Sequence, residues 1–354
     1  MSFSIGIVGL PNVGKSTLFT ALTKKQVAVS NYPFCTIEPN VGIVAVPDER
    51  LNKLAEVLNP EKILPTTIKF VDIAGLVKGA FKGEGLGNKF LSHIREVDAL
   101  VHLVRDFTDE NIAHVQGQLN PAEDIKIINL ELILADLETV NQHLEKLEKQ
   151  SKGSAAKELI KNIQILEQLK KILEQEKFAN ELQVVDDDLP FIKELNLLTF
   201  KPVLYVYNID ENIINKTLTY KQKPSLAISA KLEADLVSLT EIEAKEYLDS
   251  VGLKQTGLDR LILQSYNLLN LITFFTTQNK ILQAWTVTKE TTAPQAAGKI
   301  HTDFAKGFIK AEVINWQKLI EAGNETIAKE KGLIRTEGKN YHIQDGDVIN
   351  FLVK

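Results

Sequence analysis

The stretch Ser4-Ile5-Gly6-Ile7-Val8-Gly9-Leu10-Pro11-Asn12-Val13-Gly14-Lys15-Ser16-Thr17 decides the fold. Its first five residues form a short, mostly apolar run, Gly9–Ser16 reads G-x-x-x-x-G-K-S, and Ser16–Leu22 has helical spacing. Strand, glycine loop and helix in that order are the context in which this pattern cradles phosphate. Gly9 and Gly14 let the backbone approach an anion without a Cβ in the way. The amides of Asn12, Val13, Gly14, Lys15, Ser16 and Thr17 then present successive N–H groups and a helix N-terminus to it. Lys15 sets an ammonium between the terminal phosphates, a catalytic as well as a binding role. The Ser16 hydroxyl is a hard oxygen ligand for Mg²⁺. The pattern points to a nucleoside triphosphate and leaves the base and the reaction open.

Working outward, Asp72-Ile73-Ala74-Gly75 reads D-x-x-G at the end of an apolar strand. Asp72 there holds Mg²⁺ through water, and the Gly75 amide senses the γ-phosphate. The loop that follows, with Gly79, Gly83, Gly85 and Gly87, reads as a switch ordered by that phosphate. Thr36 lies between the phosphate-loop helix and the next strand, where its hydroxyl is placed as a further Mg²⁺ ligand. Asp72, Ser16 and Thr36 are therefore the candidate metal ligands. Leu76 follows D-x-x-G where many GTPases carry a water-orienting Gln, so slow intrinsic turnover is expected.

The base is read after the strand Pro202–Tyr207, in Asn208-Ile209-Asp210-Glu211. GTPases carry N-K-x-D there, with the Asp accepting guanine N1–H and the 2-amino group. Ile209 replaces the Lys and Glu211 the Asp, and adenine offers neither of those donors. ATP is therefore expected in preference to GTP. Ser229-Ala230-Lys231 follows the next strand and resembles an S-A-K loop that touches the base.

Strands are expected at Ser4–Val8, Val41–Val46, Ile68–Val71, Ala99–Val104, Pro202–Tyr207 and Ser225–Ile228, separated by helical stretches. That alternation argues for an α/β domain with a mainly parallel sheet. About 100 residues separate the fourth and fifth strands, far more than a crossover helix needs. Ile133, Leu137, Val140, Leu144 and Leu147 keep a 4-3-4-3 spacing. After Ser151-Lys152-Gly153-Ser154, Leu159, Ile163, Leu166 and Leu173 resume it, with Lys170 at the interrupted step. An inserted helical hairpin, read as an antiparallel coiled coil, is expected there. Its seam can close within one chain, so a monomer is expected. Leu271–Phe275, Ile281–Val287, Ile309–Ile314 and Val348–Val353 read as strands of a separate α+β domain, with a helix near Glu325–Glu330. The division expected is 1–119 with 199–270, 120–198, and 271–354.

Composition narrows the function. The 354 residues carry 44% hydrophobic and 25% charged side chains, ordinary for a globular chain. One cysteine, Cys35, excludes an intrachain disulfide framework or a multi-cysteine zinc site. No run approaches the roughly 18 apolar residues of a membrane span. With no signal sequence at the N-terminus, a cytoplasmic protein without a membrane partner is expected. The net charge of −5 is uneven: residues 120–198 carry 10 basic and 16 acidic side chains, residues 277–354 carry 11 and 9. The whole is no polyelectrolyte binder, yet Lys299, Lys306 and Lys310 give the tail a local basic character suited to phosphate contacts.

Three separated motifs resemble the YchF, or Obg-like ATPase, family of translation-factor-class P-loop NTPases. They are Asn31-Tyr32-Pro33-Phe34-Cys35-Thr36-Ile37-Glu38-Pro39-Asn40, the stretch from Asp72 to Ala80 with Gly83–Asn88, and Ala293–Gly298 with Ile300–Phe304. The resemblance implies an ATPase, a coiled-coil insertion, and a C-terminal TGS domain of β-grasp fold. It also implies association with the ribosome, its large subunit and ribosomal RNA. Through it His114 becomes a candidate water-positioning catalytic residue. Related NTPases use a residue placed like Asn12 to bind K⁺, which makes K⁺ a candidate cofactor beside Mg²⁺. The alternative is a nucleotide-gated RNA or protein adaptor with incidental hydrolysis. A metabolic kinase is disfavoured by the D-x-x-G glycine loop.

Overall fold

A computed structural model describes residues 3–25, 40–73, 88–109, 119–151, 157–214 and 219–354. Thr36, Gly75, Leu76 and His114 lie outside the described residues, as does Cys35.

The first elements are β1 (Ser4–Val8), α1 (Lys15–Lys24), β2 (Val41–Ala45), α2 (Glu49–Leu58), β3 (Lys62–Leu64), β4 (Thr67–Asp72), α3 (Asn88–Glu96) and β5 (Ala99–Asp106). A helical arm follows, α4 (Pro121–Ser151) and α5 (Lys157–Glu174), then a short α6 (Leu189–Glu194). The chain returns through β6 (Val203–Ile209), β7 (Ser225–Ile228), α7 (Ala230–Leu236), α8 (Glu241–Ser250) and α9 (Gly257–Leu268). The sheet order is β2-β4-β1-β5-β6-β7. Every pair is parallel except β2 with β4. β5 and β6 are central and buried almost throughout, which is why they read as continuous apolar runs rather than alternating ones. Parallel strands place their carboxyl ends along one edge, where ligands bind in open α/β sheets. Gly9, Asp72, Phe107, Asn208 and Ser229 all fall at that edge.

In the arm, Ile133, Val140, Leu166, Leu169 and Leu173 are buried together, with Leu137, Leu144 and Leu147 partly buried beside them. Leu169 fills the step that the sequence reading left to Lys170. The 3-4 spacing of Leu166, Leu169 and Leu173 is the better helical seam. The start of α4 belongs to the sheet's core instead, through Ile125, Ile128 and Leu132. The foot of the arm is tied down by buried Asp136. Its carboxylate accepts the Leu198 amide at 2.8 Å, the Thr199 amide at 2.7 Å and the Thr199 hydroxyl at 2.6 Å. Arg95, at the end of α3, donates to Thr139 Oγ1 and to the Asn196 carbonyl, both at 3.1 Å. The helix that follows the D-x-x-G loop is thus held directly against the arm.

The C-terminal elements are β8 (Leu271–Gln278), β9 (Ile281–Thr288), α10 (Ala293–Ile300), α11 (Thr302–Gly307), β10 (Phe308–Asn315), α12 (Trp316–Ala322), α13 (Glu325–Glu330), β11 (Arg335–Glu337) and β12 (Asp347–Val353). Their sheet runs β11-β10-β12-β8-β9-β3. β8 and β9 form an antiparallel hairpin, β12 pairs β8 in parallel, and α10 covers one face, a β-grasp arrangement. The sequence reading missed β11 and β3, each three residues long. β3 joins this sheet from far upstream, with Lys62, Ile63 and Leu64 opposite Ile281, Leu282 and Gln283. α2 travels with it: Leu51 and Leu54 are buried with Phe275 and Leu282. Arg50 fastens the contact, donating to Asp345 at 2.7 Å while its guanidinium lies 5.4 Å from the Phe275 ring centre. Among the described residues no helix is long and apolar enough to cross a membrane.

Candidate nucleotide site

The phosphate loop follows from two backbone requirements. Gly14 caps α1 at φ 91°, a left-handed conformation that favours glycine, and a Cβ there would collide with the Asn208 side chain. At Gly9 a Cβ would lie 2.5 Å from the Leu103 carbonyl of the neighbouring strand. Asn12, at φ 63°, is the loop's other left-handed residue. Asparagine tolerates that region better than most side chains.

A cavity of about 890 Å³ opens over this loop. Asn12, Gly14, Lys15, Ser16 and Thr17 line one end, and Asn208, Glu211 and Ser229 line the end built by β6 and β7. The structure therefore gathers these sequence-selected residues around one space. Val13 takes part differently: its side chain is buried in the sheet's core and its carbonyl is held by Asn208.

Asn208 is the joint of the site. Its Nδ2 donates to the Val13 carbonyl at 2.9 Å, and its Oδ1 accepts the Ala230 amide at 2.9 Å. One buried carboxamide thereby fixes the phosphate loop against the loop after β7. Ser229 spends its hydroxyl as a helix cap, accepting the Leu232 amide at 3.4 Å. Glu211 begins a short 3₁₀ turn after β6 and stands 3.4 Å from the Lys231 ammonium.

Lys15 and Asp72 act on each other electrostatically. Burial lowers the Lys15 ammonium below its ordinary pKa, and the Asp72 charge opposes that fall. Burial raises the Asp72 carboxyl, and Lys15 opposes the rise. Asp72 Oδ1 is buried without a hydrogen bond among the described residues. An orphaned carboxylate oxygen at the end of the strand beside the phosphate loop fits an oxygen-seeking divalent cation. No group of three or more His, Cys, Asp or Glu residues assembles a metal cage among the described residues.

The sequence reading missed the wall contributed by Phe107, Thr108 and Asp109. Arg105 shapes this loop from behind. It is buried, lies 4.6 Å from the Phe107 ring centre, and donates to the Phe107 and Asp109 carbonyls at 3.3 Å each. Asp210 accepts the Thr108 amide at 3.2 Å, linking the wall to the end of β6. The available signal was position: an aromatic directly after a buried parallel strand sits at the ligand-binding edge.

Comparisons with known proteins found matches over both ends of the chain and over its full length. Residues 271–354 match YchF-GTPase_C, described as a protein of unknown function (DUF933), and residues 4–152 match the 50S ribosome-binding GTPase family. The chain is 48% identical over 363 residues to the ribosome-binding ATPase YchF of Bacillus subtilis, covering 99% of each chain. It is also 48% identical over 361 residues to the protein of the same name from Escherichia coli O157:H7, again with 99% coverage of each. The solved structure of the Schizosaccharomyces pombe YchF GTPase matches with a TM-score of 0.90 and 38% identity, over 99% of this chain and 98% of that one. These names differ on the nucleotide, ATP in the bacterial relatives and GTP in the yeast structure.

Proposed function

The chain belongs to the YchF family, and on that premise we propose that it is a Mg²⁺-dependent ATPase that takes ATP in preference to GTP and works as a nucleotide-dependent switch on the ribosome. The observation that carries the ATP preference is the occupant of the guanine-reading position. Ile209 stands where a base-stacking lysine would, and the Glu211 carboxylate is paired with Lys231. A guanine-selective site needs that carboxylate free for two N–H donors.

In this reading Lys15 neutralises the terminal phosphates and the amides of Asn12–Thr17 cradle them. Ser16 and Asp72 hold Mg²⁺, which supplies charge neutralisation on the phosphoryl group. Positioning and charge neutralisation are the main means of lowering a phosphoryl-transfer barrier. Thr36 and Gly75 are assigned by sequence position as a third Mg²⁺ ligand and a γ-phosphate sensor, and His114 through the family resemblance as a water-positioning residue. With Leu76 unable to orient water, basal turnover is slow and a partner completes the site. Asn12 is proposed to hold K⁺. Equal rates in K⁺ and Na⁺ would remove that role.

The partner is the ribosome, by analogy with the bacterial relatives named for binding it. The match to the 50S ribosome-binding GTPase family supports the large subunit, and the tail lysines Lys299, Lys306 and Lys310 favour ribosomal RNA as the contact. We assign residues 1–119 and 199–270 to the NTPase domain, with α2 and β3 reaching from it onto the C-terminal sheet, 120–198 to a coiled-coil arm and 271–354 to a TGS domain, acting as a cytoplasmic monomer.

Co-sedimentation with ribosomes in a non-hydrolysable ATP analogue, in ADP and without nucleotide tests the switch. Retention is expected to differ at least severalfold between the ATP-analogue and ADP states, and Lys15→Ala is expected to abolish the difference. Equal retention in all three, with no ribosome stimulation of turnover, would favour a constitutive adaptor instead.

A further inference from the structure

Glu211 and Lys231 both line the cavity at the end built by β6 and β7. Glu211 Oε1 is buried and makes no hydrogen bond among the described residues. The Lys231 ammonium lies 3.4 Å from that same oxygen.

The platform under Lys231 is rigid. The residue sits in the first turn of α7, which Ser229 caps. Two residues on, buried Glu233 accepts the Gly257 amide at 2.6 Å and the Leu258 amide at 3.0 Å, clamping α7 to the start of α9. At Gly257 a Cβ would lie 2.6 Å from the Glu233 carboxylate, so the two helices meet as closely as their atoms allow. The Ala230 amide, next to Lys231, donates to Asn208 at 2.9 Å, which ties the first turn of α7 to the end of β6 three residues before Glu211.

The two purines differ at the edge that faces this position. Guanine presents two donors, N1–H and the 2-amino group. Adenine presents a bare acceptor at N1 and a C–H at C2. A lone carboxylate accepts only and suits guanine. A carboxylate beside an ammonium is already engaged, and the ammonium donates. That combination matches adenine N1 and opposes guanine N1–H. Discrimination of this kind works by a repulsive element as much as an attractive one.

We propose that Lys231 is a specificity-determining residue, which selects ATP by occupying the Glu211 carboxylate and placing a donor at the purine N1 edge. The inference rests on the ATP preference proposed above and names the residue that sets it. The Lys231 side chain is 81% exposed, so its replacement leaves the fold in place.

The test is the ratio of the GTP and ATP dissociation constants, measured by calorimetry with non-hydrolysable analogues and Mg²⁺. The variants are Lys231→Met, which keeps the stem and removes the charge, Glu211→Gln, and the double variant. An exposed ion pair of this kind is worth up to about a fivefold change in an equilibrium constant. Lys231→Met is therefore expected to move the ratio toward GTP by about three- to fivefold. Added to Glu211→Gln, it is expected to move the ratio by a smaller factor, because only the donor to purine N1 is then left to lose. An unchanged ratio in Lys231→Met, or the same shift in both backgrounds, would overturn the proposal. The wild-type ratio alone tests the ATP preference, so the two readings fail separately.

Discussion

The Asn208 side-chain amide donates to the carbonyl of Val13 at 2.9 Å, joining the end of a central strand to the phosphate loop 195 residues earlier in the chain. The same carboxamide accepts the Ala230 amide. Asn208→Ala leaves two buried backbone groups without partners, at a cost of about 2–4 kcal/mol. It also frees the phosphate loop to change shape. Urea unfolding is expected to show that loss, and a fluorescent-nucleotide titration is expected to show affinity reduced at least tenfold.

Phe107 walls the cavity with Arg105 packed behind its ring. Aromatic contact with a nucleobase contributes about 1–3 kcal/mol and tolerates every base. Phe107→Ala is therefore expected to weaken ATP and GTP alike by about tenfold, raising KM more than it lowers kcat. A loss confined to one nucleotide would show that the ring reads the base rather than supporting it.

At the foot of the arm Asp136 holds the backbone of Leu198 and Thr199. Asp136→Ala strands those buried donors and is expected to destabilise the chain by about 3 kcal/mol. Hydrogen exchange should accelerate first at the Leu198 and Thr199 amides, because they lose their acceptor directly.

His102, buried in β5 beside the Tyr205 ring, is held neutral: burial pushes its pKa down to about 3. The unfolded chain protonates it near its ordinary value of 6.5. A folded pKa below the unfolded one means a contribution that is complete above pH 6.5 and drains away as the pH falls toward 3. Between pH 7 and pH 5 this group alone should cost about 2 kcal/mol. His102→Phe, which fills the space without titrating, is expected to lose that much less stability over the interval. Parallel slopes for the two proteins in urea unfolding at pH 7, 6 and 5 would assign the acid sensitivity elsewhere.

Most of the NTPase sheet was legible in the sequence because its strands are buried on both faces. Pro202–Tyr207 and Ala99–Val104 announce themselves as unbroken apolar runs, and each proved only two residues longer at its carboxyl end. Those carboxyl ends lead into the site, since Asn208 lies within β6 and Phe107 directly follows β5. Lys62–Leu64 carries no such signal. Three residues at a sheet edge have no room for a period, and their partner Ile281–Gln283 lies more than 200 residues away. The arm's seam was legible from Ile133 to Leu147, whereas Leu159 and Ile163 stay outside the buried cluster that Ile165, Leu166 and Leu169 join; Lys170 and Leu169 are adjacent, and only packing against α4 decides which faces inward. The phosphate-loop residues were readable because their chemistry is local. The Glu211–Lys231 pair was not, since it depends on the 3₁₀ turn after β6 meeting the first turn of α7 at the sheet edge.

The central claim is an ATP-selective hydrolase completed by the ribosome, and phosphate release tests it most directly. Rates from Mg²⁺-ATP and Mg²⁺-GTP should be compared with and without ribosomes, at matched Mg²⁺ and K⁺. The result expected is slow basal release, faster from ATP than from GTP, rising at least tenfold on addition of ribosomes and absent in Lys15→Ala. GTP turnover faster than ATP turnover, or an ATP rate indifferent to ribosomes, would contradict it.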